Sequence, residues 1–308
     1  MNAAALLLLY GSAWAWSGQR LLRRVTGSGV HPRLAVTAWL TAVIGALAAW
    51  VCALAVLLDA VLVSMWRHWA LSLCMKVLGF AGHVGLPREI GSALALTLLA
   101  AGVAATTVVS RSVRYAYRRQ RSRSREHAAS VRMVGTPGYQ PGVMVVQARR
   151  PVAYCVAGRP ATVVITTAAL ERLDKPQLAA VLAHESAHLT GRHHQLLMVL
   201  RAMAAGLPLP LFTAATDAVA GLLEMCADDV AVRRHGAMPL LRGILALAGQ
   251  PTMGAAALGA AGSAVLCRAT RLTVSVPRRI RWRDGLVLSA VTGMALLTPL
   301  AVGLACHF

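Results

Sequence analysis

Two histidines four residues apart, with a glutamate beside the first, define the chemistry this chain can do: Val181-Leu182-Ala183-His184-Glu185-Ser186-Ala187-His188. In a helix, His184 and His188 stand one turn apart on the same face, so both imidazoles reach a single Zn²⁺ while Glu185 points at a metal-bound water. That is the equipment of a metal-assisted hydrolase with Glu185 as general base. A pentapeptide of this form also arises by chance, with its histidines as ordinary polar positions, so the surroundings must decide.

A zinc site needs a third protein ligand, and two candidates stand downstream. His194 completes His184-Glu185-x-x-His188-x-x-Gly191-x-x-His194, the metzincin spacing, with Gly191 placed to turn the chain. Glu224 is the rival, in Glu224-Met225-Cys226-Ala227-Asp228. There Glu224 and Asp228 lie at i and i+4 of a second helix, so one carboxylate can bind metal while the other accepts the free N–H of a ligand histidine. That double use favours Glu224 over His194.

The elements that must hold these residues are legible nearby. Asp174-Lys175-Pro176-Gln177 reads as a helix start, with Asp174 as N-cap, Pro176 in the first turn and Gln177 at the capping-box position. The helix is expected over about 175–192. Ahead of it, 143–146, 152–156 and 162–166 are short β-branched runs broken by Gly and Pro, which predicts a small sheet framing the helix. The outer edge of such a sheet can bind a substrate as an added strand.

The chain has 308 residues, of which 57% are hydrophobic and 14% charged, and its mean hydropathy is +0.61. That is too apolar for a soluble enzyme and predicts a polytopic membrane protein. Apolar runs at 2–16, 34–58, 90–110 and 285–304 are the expected spans. No cationic segment precedes the first run and Arg20, Arg23 and Arg24 follow it, the reverse of a signal peptide, so the N-terminus is expected outside. Trp66, Trp69 and Phe80 suit an extracytoplasmic loop or interfacial helix over 59–89, with His68 and His83 as interface residues.

The formal charge of +20 comes almost wholly from arginine. One cluster, Arg111 to Arg125, follows the third span and another, Arg268 to Arg283, precedes the fourth, so the residues between are expected in the cytoplasm. This clustering at span ends favours membrane orientation over nucleic-acid binding. The run 198–223 is interrupted by Arg201, Asp217, Pro208 and Pro210, and is expected as a hairpin packed on the active-site helix and dipping into the bilayer rather than as a fifth span. Residues 250–266 are Ala/Gly-rich and do not declare a structure. The six cysteines form no C-x-x-C pair and imply no disulfide framework, and Cys226 is expected to be a packed thiol.

The order of hydrophobic helices, short sheet, HESAH, a Pro-containing hydrophobic segment, EMCAD and a final span resembles the bacterial BlaR/MecR-type integral-membrane metallopeptidases. The resemblance covers nearly the whole chain, and its most specific part is the HESAH and EMCAD pair. It implies a mainly α-helical polytopic membrane protein with an inserted zincin-like α+β metallopeptidase domain facing the cytoplasm. The divisions are then 1–110, three spans; 111–283, the zinc domain; and 284–308, the last span. It also implies a cytoplasmic transcriptional repressor, or the chain itself, as substrate. The sequence runs to Phe308 without the penicillin-binding domain of the sensor members, so β-lactam sensing is not carried over.

Two other classes compete. A transporter would place charged residues within its spans, and only Asp59 and Glu89 lie near the end of one. A silent receptor with a structural zinc site would have no use for Glu185.

Overall fold

Long apolar runs without internal breakers become long helices, and these form the frame. The computed structural model describes residues 3–66, 88–248 and 265–305, apart from positions 139, 157, 159 and 275. Helix α1 (Ala3–Ala13) passes through a π-helical turn (Trp14–Gly18) into α2 (Gln19–Thr26). Helix α3 (Pro32–Trp66) and helix α4 (Arg88–Val134) follow. The loop residues Trp69 and Phe80, the histidines His68 and His83, and Cys74 and Cys306 lie outside the described residues, as does most of the 250–266 stretch.

Helix α4 is 47 residues long and crosses position 110/111 without a break. Its first half is apolar and its second half is rich in arginine. Hydropathy changes sharply there, but arginine and alanine are both good helix formers and no proline intervenes, so the backbone continues.

After α4 come four strands: β1 (Thr136–Pro137), β2 (Val143–Val146), β3 (Ala153–Val156) and β4 (Thr162–Thr166). The last three are those the β-branched runs predict. The sheet order is β1-β2-β4-β3, with β2 and β4 parallel and the other pairs antiparallel. Strand β4 is buried along its whole length, and β3 forms an edge. The register sets Tyr154 opposite Val164 and Cys155 opposite Val163.

A short helix α5 (Thr167–Arg172), capped by the Thr166 hydroxyl, leads into α6 (Lys175–Thr190). The start of α6 is the expected capping box: Asp174 accepts from the Gln177 N–H at 2.8 Å, and the Gln177 side chain faces the Asp174 N–H. Helices α7 (His193–Gly206) and α8 (Pro210–His235) form a hairpin, broken at 207–209 between Pro208 and Pro210. Then come α9 (Ala237–Ala248), α10 (265–273) and α11 (Arg278–Ala305).

The largest core cluster joins α1, α3, α7, α8 and α11. On α3 the buried alanines Ala35, Ala38, Ala42, Ala46, Ala49 and Ala53 recur at steps of three and four. Such a stripe lets neighbouring helix backbones approach closely. Tyr10 on α1 donates to the Ala295 carbonyl on α11, and a Cβ at Gly45 of α3 would lie 2.8 Å from that same oxygen. The tip of the α7–α8 hairpin enters at this level, where Phe212 stacks on Trp50 at 6.3 Å between ring centroids. The expected hairpin over 198–223 is thus present, packed on α3 and α4 as well as on α6.

Two helical stretches, Pro32–Asp59 and Leu96–Val134, are long and apolar enough to cross a membrane. Gly45→Val should test the packing directly. The added side chain meets a backbone oxygen that cannot swing away, so overpacking of about 1 to 3 kcal/mol is expected. Thermal unfolding of the purified variant should show a lowered Tm.

Candidate metal centre

Helix α6 crosses α8 face to face, and this crossing brings three potential ligands together. His184 Nε2 and His188 Nε2 lie 3.2 Å apart. Glu224 on α8 sets Oε2 at 3.4 Å from His184 Nε2 and Oε1 at 3.4 Å from His188 Nε2. Among the described residues this is the one group of three His, Cys, Asp or Glu side chains whose ligand atoms converge. Zinc with bonds of about 2.0–2.1 Å to tetrahedral ligands keeps those ligands roughly 3.3–3.4 Å from one another. The observed spacings match that tetrahedral edge. Two imidazoles and a carboxylate also form a suitable zinc donor set.

The structure therefore brings Glu224, not His194, to the two motif histidines. His194 stands apart, with its Nδ1 buried and without a hydrogen-bond partner among the described residues. The turn between α6 and α7 explains why. Gly191 has a right-handed backbone (φ −76), and Arg192, not Gly191, is left-handed (φ 51). The reversal carries His193 back against α6, where its Nδ1 lies 2.9 Å from Nδ1 of His188, on the side of that ring away from Glu224. Gly191 is needed for space instead. A Cβ there would fall 2.6 Å from Cδ2 of His193.

Behind His184 sits Asp228, one turn after Glu224 on α8. Its Oδ1 is 3.0 Å from His184 Nδ1, a distance for charge pairing although the direction falls short of a good hydrogen bond. Asp228 is wholly buried. Arg268 of α10 clamps it with two hydrogen bonds, Nε to Oδ2 at 2.8 Å and Nη2 to Oδ1 at 2.6 Å. The third guanidinium nitrogen, Nη1, reaches Glu224 Oε2 at 3.2 Å. One arginine thus ties both carboxylates of the Glu-x-x-x-Asp turn, in the two-pronged geometry that suits guanidinium to carboxylate.

Sequence reasoning assigned Arg268 only to a basic cluster marking the membrane. The signal that could have singled it out is the demand of two carboxylates in an apolar helix for a countercharge. Nothing local says which arginine supplies it. Next to this clamp, Arg271 pairs with Asp229 at 2.7 Å and donates to the Gly29 carbonyl at 2.9 Å, which ties α10 to the turn before α3.

Glu185 lines the same cavity as the three convergent residues, a space of about 490 Å³ walled also by Ala153, Cys155 and Arg268. Cys155 on β3 lines this cavity together with Glu185. The open edge of the sheet therefore lies beside the general-base candidate. Arg233 and Arg234 line a different cavity on the far side of α6. Cys226 is buried, and burial pushes its thiol up to about 11, as expected of a packed core cysteine.

The charges in the metal-free site are unequal. Burial opposes charge on His184, but Asp228 and Glu224 outweigh it and push its pKa up to about 9. Burial, reinforced by Glu224, raises Glu185 to about 7, while His184 and Arg268 pull the other way. Burial takes His188 down to about 4, with the cationic neighbours His184 and Arg268 adding to the fall. Burial would raise Glu224 and Asp228, but His184 and, respectively, His188 and Arg268 hold both below the usual carboxylate range. At neutral pH His184 in the metal-free site is thus held as the imidazolium between Glu224 and Asp228.

Comparison with known families now bears on these residues. Residues 116–249 match the family model described as Peptidase family M48. The match supports a metallopeptidase. It spans the sheet, both motif helices and all three convergent ligands, and it ends before Arg268. The match does not extend to the BlaR/MecR type, whose likeness rests on the order of elements and on the HESAH and EMCAD motifs. No curated protein and no solved structure matches the chain.

The raised pKa of His184 fixes a pH dependence. Between its ordinary value of 6.5 and about 9 the folded, metal-free protein holds a proton that the unfolded chain has released. The stability this contributes is full below pH 6.5 and is lost as pH rises through 9. Zinc must displace that proton, so its affinity should rise about tenfold per pH unit over the same window. Unfolding of the metal-free protein and competitive zinc titration, each run from pH 6.5 to 9, should show these opposite slopes. A flat zinc affinity would place the ligand proton elsewhere.

Arg268→Leu should remove the clamp and leave a buried carboxylate held by His184 alone. Such a loss typically costs about 3 to 5 kcal/mol. Denaturant unfolding is the measurement, and an unchanged midpoint would show the clamp to be dispensable.

Proposed function

We propose that this chain is a membrane-embedded zinc endopeptidase whose active site opens at the cytoplasmic face of the bilayer. The convergence of His184, His188 and Glu224 on one point, with Glu185 in the same cavity, carries the reading. Zinc bound to these three residues supplies a Lewis acid and a water whose pKa falls to about 7. With the metal held there, the Glu185 carboxylate would be placed to take up a proton and later return it to the nitrogen of a departing amine. Its pKa of about 7 in the metal-free site suits a group that must both take and give a proton near neutrality. Asp228 orients His184 through Nδ1, and Arg268 holds Asp228 and Glu224 in place.

Strand β3 supports a polypeptide as substrate. It is an edge strand, and its residues Ala153 to Cys155 wall the cavity. An extended peptide paired with its free edge would present a backbone carbonyl along the cavity, with main-chain hydrogen bonds supplying most of the recognition. A transcriptional repressor, or this chain itself, is the proposed regulatory target, on the resemblance described above.

The bilayer orientation follows from where the arginines sit. His31, just ahead of α3, contacts the Arg281 carbonyl at 2.9 Å, so α3 and α11 begin at the same end of the bundle. Both then run away from the metal centre. Arg20, Arg23, Arg24 and Arg33 share that end with the 278–283 cluster. Positive residues favour the cytoplasmic side. The N-terminus is then outside, with four spans. The hairpin tip packs against the apolar part of α3, which supports an active site at the membrane surface.

Glu185→Gln should keep zinc, fold and membrane insertion, because Glu185 is not among the converging ligands. Proteolysis should fall at least about 10² to 10⁴-fold. The direct assay is zinc content plus proteomics of cleaved cytoplasmic proteins in cells carrying the native or the variant chain. A variant that lost its zinc would reassign Glu185 as a ligand. One that cut as before would move the chain to the class of silent receptors.

A further inference from the structure

On the face of α6 opposite the metal centre lies a second cavity, of about 520 Å³. Three arginines from two distant segments line it: Arg33 at the start of α3, and Arg233 and Arg234 at the end of α8. Among the described residues none of the three forms a hydrogen bond or an ion pair. No aspartate or glutamate lines the space. Arg268 and Arg271, close by in the fold, are fully paired with carboxylates. All three are exposed, and Arg233 also lines a neighbouring cavity with Asp229, so an anion between them is favoured by the charge-assisted hydrogen bonds it would accept rather than by relief of their repulsion. Guanidinium suits the oxygens of a phosphate in particular.

The remaining walls say which phosphate. Val36, Leu196 and Leu223 make an apolar side, and Arg33 immediately precedes the apolar run of α3. A phosphate at that level with hydrocarbon below it is the headgroup of a phospholipid. We propose that this cavity binds the phosphate of an anionic phospholipid, and that its occupancy is transmitted to the metal centre through His193. This rests on the membrane-embedded peptidase reading given above.

His193 is the link because it belongs to both places. It lines the arginine cavity, and its Nδ1 lies 2.9 Å from Nδ1 of His188. A neutral His188 whose Nε2 binds metal carries its proton on Nδ1, so His193 must accept there and hold its own proton on Nε2. The Nε2 edge of His193 lies over Gly191, in the cavity wall. A phosphate oxygen accepting from that Nε2–H selects the tautomer that orients His188. Loss of such an orienting partner typically weakens metal binding about 10 to 100-fold.

The test uses the full chain in phosphatidylcholine nanodiscs with and without phosphatidylglycerol. It compares the native protein with R33Q/R233Q/R234Q and with R121Q/R123Q/R125Q, which removes equal charge from α4 outside the cavity. Native mass spectrometry counts retained phosphatidylglycerol, and competitive titration reads zinc affinity. The native chain and the α4 variant should each keep one phosphatidylglycerol through exchange with phosphatidylcholine, and the cavity variant should keep none. Zinc should bind the native chain about tenfold more tightly when phosphatidylglycerol is present. H193F should abolish that difference while keeping the lipid.

Retention by the cavity variant, or equal loss in the α4 variant, overturns the site. An equal gain in zinc affinity from inorganic phosphate in pure phosphatidylcholine overturns the lipid as its source. A tenfold gain that persists in H193F overturns the route through His193. The lipid count needs no zinc, so a native chain that binds no zinc defeats the peptidase reading while this site is still judged by its lipid. R234Q alone should lose part of the retained lipid, which keeps the test open if the triple variant folds poorly.

Discussion

A carboxylate sealed from water is the constraint around which the catalytic half of the molecule is arranged. Asp228 has no exposed surface, and an unpaired charge in such a place would cost several kcal/mol. It is tolerated because a guanidinium grips it from one side and an imidazole faces it from the other. Each partner comes from a different helix: Arg268 from α10, His184 from α6, and Asp228 itself from α8. The need to neutralise one buried charge therefore fixes three helices against one another, and Glu224 is carried into place one turn away.

The same helices tie the metal centre to the long apolar helices. Helix α8 begins among the aromatic residues that pack on α3 and ends beside the turn before α3, with Asp228 and Glu224 between. Arg271 adds a second tether, joining Asp229 to the Gly29 carbonyl. The start of α3 is thus linked to the ligand-bearing helix through the Gly29 turn.

How much of this was readable from sequence follows the range of the interactions. His184, Glu185 and His188 announce themselves because their relation is one helical turn, and Glu224 with Asp228 for the same reason. Asp174 and Gln177 close a capping box within four residues, and the β-branched runs give three of the four strands. Arg268 escaped because its partner is 40 residues away and its side chain is one of many arginines with identical local chemistry. The packing of His193, rather than His194, against His188 was hidden too. It depends on a left-handed residue at Arg192, which no side-chain preference there foretells. The continuity of α4 across 110/111 was masked by a change of polarity to which helix propensity is indifferent.

Two imidazoles and one carboxylate converge at the candidate metal centre, and zinc K-edge X-ray absorption on the purified, zinc-loaded chain would read that ligand set. Two imidazole nitrogens with carboxylate and water oxygen are expected, all at about 2.0–2.2 Å. Three imidazoles would return His194 or His193 to the metal and contradict the arrangement built on Glu224.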